Sequence, residues 1–98
     1  MEKGEFVTVC KRMVREYFNR YIKKEGVRNI VLNDVRVVDF RDRPNDYKVL
    51  LTTWTSDLYF GVTYYKDTNK MRSYIYKKVG TRLYGKNYRR NKNRKEFR

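Results

Sequence analysis

An α+β fold is predicted for this chain. One long N-terminal helix packs on a four-stranded antiparallel sheet, in the order α-β-β-β-β, and a basic C-terminal arm follows. Three observations predict it. Apolar residues recur at helical spacing over residues 6–22, β-branched and aromatic residues dominate 27–79, and the apolar pattern stops near Gly80, where cations crowd. A length of 98 residues fits one domain. The body is read as 1–80 and the arm as 81–98.

The helix rests on Phe6, Val9, Cys10, Met13, Val14, Tyr17, Phe18, Tyr21 and Ile22, which follow the i, i+3, i+4 rule. Glu2 and Glu5 suit the positive end of the helix dipole, Lys23 and Lys24 the negative end. Gly26 is the expected C-terminal cap. Lys11, Arg12, Arg15, Glu16, Asn19 and Arg20 fall on the opposite, solvated side. Cys10 lies on the apolar stripe and is read as core.

Four strand-like stretches follow. "RNIVLNDVRVVDF" shifts the phase of its alternation near Asn33 and Asp34, where a bulge or break is expected. "RDRPND" is a loop marked by Pro44. "YKVLLTTWT", "LYFGVTYY" and "MRSYIYKKV" are the remaining strands. Taking Ser56-Asp57 and Thr68-Asn69 as two-residue turns places Val49 beside Tyr64, Leu51 beside Val62 and Val62 beside Ile75. That gives one apolar face able to cover the helix. At fold level the arrangement resembles the cystatin-like or NTF2-like architecture of a helix on a curved sheet, which carries no function with it.

The other face is unusual. Trp54, Tyr59, Tyr65, Tyr74 and Tyr76 form an aromatic layer, with Lys48, Arg72 and Lys78 at its ends and Gly61 at its centre. Bases stack on aromatic rings while cations hold phosphates. Tyr is also an ordinary strand residue, and Leu50, Trp54, Val38 and Phe40 make the same face apolar enough for a homodimer or a partner protein.

Charge is the stronger signal. The chain carries 25 Lys and Arg against 11 Asp and Glu, a net charge of +14. Residues 81–98 hold eight cations and one acid, so half the net charge sits in the last 18 residues. Arg82, Lys86, Arg89, Arg90, Lys92, Arg94 and Lys95 are the expected nucleic-acid contacts of this arm, with Arg72, Lys78, Tyr74 and Tyr76 next on the sheet. A solubilising tail or an arm gripping an acidic protein partner is the plainer alternative. Membrane binding is disfavoured, because the arm lacks an amphipathic apolar face.

Histidine is absent, so histidine triads and most zinc sites are excluded. No glycine-rich phosphate loop occurs. Asp34, Asp39, Asp42 and Asp46 with Lys48 could be arranged as in a metal-dependent nuclease, but aspartates in turns more often cap backbone groups. No cofactor or metal is expected. One cysteine and no secretory pattern point to the cytoplasm, that of the host if the protein is viral. The lack of alanine and glutamine, beside abundant Lys, Asn and Tyr, fits a small viral or mobile-element protein. The expectation is a non-enzymatic nucleic-acid-binding protein, for RNA or DNA, with weak sequence specificity. A module inhibiting a host or defence factor, or a structural part of a ribonucleoprotein or virion, is the alternative.

Overall fold

A computed structural model describes residues 1–54, 57–79 and 82–85, the side chains of 78, 79 and 82–85 excepted. Helix α1 (Lys3–Tyr17) runs without a break into a π-helical turn, Phe18–Ile22. Five strands follow in sheet order β1-β2-β3-β4-β5, every neighbouring pair antiparallel. They are β1 (Val35–Asp42), β2 (Asp46–Thr53), β3 (Leu58–Tyr65), β4 (Lys70–Val79) and β5 (Arg82–Gly85). The first four carry the predicted helix-on-sheet body. β5 adds an edge strand inside what was read as the arm, so Arg82 has its backbone paired with Val79.

The helix stripe is real, and it is narrower than its spacing implies. Phe6, Cys10, Val14 and Phe18 are buried, Val7, Met13, Tyr17 and Ile22 pack beside them, and Tyr21 is 64% exposed. The wider π-turn rotates Tyr21 off the stripe and leaves its ring against Tyr17, 5.0 Å between centroids. Burial pushes the Cys10 thiol up to about 12, so it is an inert core group. Gly26 does have the left-handed backbone, φ 83°, that favours glycine, but the helix already ends at Lys23. Gly26 serves the turn beyond it, where the Val27 N–H donates to the Lys24 carbonyl.

Asn19 is no solvated residue. Its Nδ2 donates to the Ile30 carbonyl at 3.0 Å and its Oδ1 accepts from the Ile30 N–H at 2.8 Å. The side chain thus acts as a strand partner for buried Ile30 and ties residues 27–31 to the helix end. Asn19→Ala is expected to cost about 1–3 kcal/mol, because both Ile30 groups lose their partner. Asn19→Asp, keeping only the acceptor, should fall between. Urea unfolding followed by circular dichroism checks this, and an unchanged midpoint for Asn19→Ala would refute the clamp.

Residues 27–34 do not form the strand expected of them. The phase shift near Asn33 and Asp34 is a single 3-10 turn, Leu32–Asp34, in which the Val31 N–H donates to Asp34 Oδ2 at 2.9 Å. A second irregularity lies in β1, where Val37 pairs with Leu51 and Asp39 with Leu50, so Val38 is an extra residue. Beyond this bulge the inward parity changes, and Phe40 turns to the helix side. Its ring meets Phe6 at 6.2 Å, which removes it from the outer apolar patch predicted for it.

Both hairpin registers differ by two residues from those counted with two-residue turns. Val49 pairs with Val62 and Leu51 with Phe60; Phe60 pairs with Ile75 and Gly61 with Tyr74. A two-residue turn at Thr68-Asn69 would put β-branched Thr68 at positive φ. The chain uses four residues instead, with only Asn69 left-handed at φ 60° and its N–H donating to the Tyr65 carbonyl at 2.8 Å. A shift of two preserves each face. The two shifts also cancel between β2 and β4: β3 slides, and Leu50 lies in line with Tyr74 and Lys48 with Arg72, as two-residue turns at both hairpins would also place them.

The hairpin tips brace one another. Lys66 Nζ donates to Asp42 Oδ1 at 2.8 Å and to the Arg43 carbonyl at 2.7 Å, and sits 4.4 Å from the Tyr47 ring centre. Its pKa is raised, first by the Asp42 hydrogen bond. Arg43 Nε and Nη2 donate to the two Asp46 oxygens, both at 2.8 Å. That fork holds the Asp46 carboxyl below its usual range.

Candidate nucleic-acid interface

The inward face of the sheet is consumed by the core: Val49, Leu51, Phe60, Val62, Tyr64 and Ile75 are all buried. Apart from the end of the inward face, where Leu58, Ile75 and Lys77 line a separate pocket, what the sheet leaves uncovered is on the outward face. There the register sorts side chains into parallel rows that run across the strands. One row reads Arg36, Thr52, Tyr59, Tyr76; the next reads Asp39, Leu50, Gly61, Tyr74; the third reads Arg41, Lys48, Thr63, Arg72.

The third row is the centre of the site. Three of its four positions are cations, and Arg41 and Lys48 are directly opposed. All three are exposed, while Thr63 between them is buried. Strands lie about 4.8 Å apart, so the row extends roughly 14 Å from β1 to β4. The bulge at Val38 creates it. Without the extra residue, position 41 would share the inward parity of Val35 and Val37, and Phe40 would point outward.

Acidic groups near the row are already engaged. Asp39 Oδ2 lies 3.5 Å from Arg41 Nε, an exposed pair of little energetic weight. Asp46 is gripped by Arg43 and Asp42 by Lys66. The four aspartates therefore do not converge, and among the described residues no three acidic or cysteine side chains gather where an ion could sit.

Beside the cations lie the rings. Tyr74 and Tyr76 are half-buried, with centroids 6.4 Å apart and planes tilted by 46°. Tyr59 is directly opposite Tyr76. A Cβ placed on Gly61 would come within 2.9 Å of Tyr76 Cε2, so the missing side chain lets this ring lie close over the strand. Trp54 is 67% exposed at the end of the face, with the Arg36 guanidinium 4.9 Å from its ring centre. An open groove of about 430 Å³ runs over this surface, with Arg41, Arg43, Lys48, Gly61, Tyr74 and Tyr76 in its lining.

A larger pocket, about 600 Å³, lies on the helix side between Phe18, Ile22, Val27, Leu58 and Ile75. It is mainly apolar; Lys23, Lys24, Arg28 and Lys77 also line it, with Asp34 and Asp57 among them, and Lys23 donates to the Val27 carbonyl at 2.6 Å. Its cations come from separate segments and are mixed with two aspartates, whereas the outward face aligns Arg41, Lys48 and Arg72 in one register row beside the paired rings of Tyr74 and Tyr76, so the outward face is the better candidate.

Of the residues expected from sequence, the structure brings Arg72, Tyr74 and Tyr76 together. Lys78 has its backbone in β4 opposite Leu83, and its side chain is outside the described residues, as are those of Arg82 and its neighbours in β5. Lys86, Arg89, Arg90, Lys92, Arg94 and Lys95 also lie outside them. Arg36, Arg41 and Arg43 are additions. The signal for Arg41 was present as the spacing of Val35, Val37 and Phe40, two then three, which is the mark of one bulge residue.

These features define a small basic α+β protein: a helix backs one face of an antiparallel sheet, and the other carries cations beside tyrosines. The chain belongs to the Family of unknown function (DUF6275), whose model matches residues 7–86, from the first turns of α1 through β5. No curated protein and no solved structure matches it. Among the described residues no helix is long and apolar enough to cross a membrane.

Proposed function

We propose that this chain is a non-enzymatic nucleic-acid-binding protein that holds a polynucleotide backbone on the outward face of its sheet, with the cations of residues 81–98 adding grip. One observation carries the proposal: Arg41, Lys48 and Arg72 share a cross-strand row, with two like charges directly opposed. Such opposition costs stability in the protein alone, a cost that Asp39 beside Arg41 offsets only in part as an exposed pair. A line of phosphates turns the cost into attraction and releases counterions as it does so. A packed core gains nothing from the arrangement, since all three side chains are exposed.

The test is a fluorescence-anisotropy titration of a labelled oligonucleotide over a range of salt concentrations. Neutralising about six to eight phosphates predicts a slope of log affinity against log salt near −4 to −7. No binding at low salt, or affinity indifferent to salt, would remove the proposal.

A further inference from the structure

We infer that the outward face takes a single-stranded polynucleotide rather than a duplex, with the strand crossing the sheet from β1 to β4; this rests on the nucleic-acid-binding proposal above. The row of Arg41, Lys48 and Arg72 runs perpendicular to the strands. The row containing Gly61 and Tyr74 lies parallel to it, two residues or about 7 Å further along, and the row containing Tyr59 and Tyr76 lies as far again. Phosphates following the first row therefore carry their bases over the other two.

Those two rows are built for base faces. Gly61 leaves the floor between Leu50 and Tyr74 without a side chain, and Tyr76 lies low over it. Rings at this height can stack on an unpaired base, as sheet-borne aromatics do in single-strand modules that seat two or three bases. In a duplex the base faces are already covered by their own neighbours, and only phosphates and groove edges remain. The exposed side of the helix carries Lys11, Arg12, Arg15 and Arg20, but it lies across the sheet from the tyrosines, so a duplex held there would not use the rings either. A duplex would engage the cations and leave the tyrosines idle.

The experiment compares four labelled probes of about eight nucleotides, within the ~4–16 nucleotide footprint of single-strand modules. These are single-stranded DNA, single-stranded RNA, a DNA duplex, and an abasic deoxyribose-phosphate strand of equal phosphate number. The full chain is titrated at one low salt concentration. Each tyrosine that stacks a base contributes roughly 5- to 150-fold in affinity. The DNA or RNA single strand should therefore bind at least about 10-fold tighter than the duplex and the abasic strand. Tyr74→Leu should erase most of that preference. Gly61→Ala is a second variant: the atoms nearest its Cβ are the outer edge of the Tyr76 ring, so it should displace that ring and lower the single-strand preference. Equal affinity for single strand, duplex and abasic probe overturns this inference while phosphate binding stands. Failure of every probe to bind overturns the underlying proposal as well. The abasic comparison needs no variant, so it decides even if Tyr74→Leu fails to fold.

Discussion

Phe6→Ala is expected to remove about 3–5 kcal/mol of folding stability, the largest effect of any single change considered for this body. Phe6 is fully buried, and its ring meets three others: Tyr47 stacked at 5.3 Å, Tyr64 at 5.9 Å and Phe40 edge-on at 6.2 Å. Those rings come from β1, β2 and β3, so one helix residue joins α1 to most of the sheet. Truncation leaves a cavity that stacked rings cannot collapse to fill. A domain of this size has only about 5–15 kcal/mol in total, so the variant should sit near its unfolding midpoint at modest urea. Tyr21→Ala is the control. It occupies the same helical spacing but is 64% exposed, and its effect should stay at about 1 kcal/mol, the worth of its ring contact with Tyr17. Equal losses for the two would show that the burial of the stripe is wrongly assigned.

Replacing Arg41, Lys48 and Arg72 together by serine should weaken oligonucleotide binding on the order of 100-fold at about 0.15 M salt, and flatten the salt slope by roughly 2–3. The accompanying stability change separates a binding row from a structural one. Lys48→Ser alone removes the charge opposed to Arg41 together with the attraction between Lys48 and Asp46, and should leave stability within about 0.5 kcal/mol of the parent. Binding falls while the fold holds. A structural row would give the reverse, lost stability with no change in salt slope. Anisotropy and urea unfolding on the same preparations read both quantities.

Some of the site was legible before any coordinates. Arg72, Tyr74 and Tyr76 share one parity of β4, and parity is a property of the strand itself. Two-residue turns and the observed registers both set Lys48 in line with Arg72, because the two register differences displace β3 and cancel across it. Arg41 was not legible in the same way. Its face depends on whether Val38 is counted as paired or as a bulge, and the choice is made by packing Phe40 against Phe6. Asn19 was misread for a related reason. Its spacing puts it away from the apolar stripe, and only the returning chain at Ile30 gives it two backbone partners.

Local periodicity alone thus determined the helix, the strands, the two faces of β2 to β4 and the unequal distribution of charge, because each is set by neighbours a few residues apart. Tertiary structure decided the bulge at Val38, the four-residue connection closed by Asn69, the π-turn that expels Tyr21 and the fifth strand. Each of these trades a local preference against contacts made by residues distant in the chain, and that balance exists only once the helix lies on the sheet.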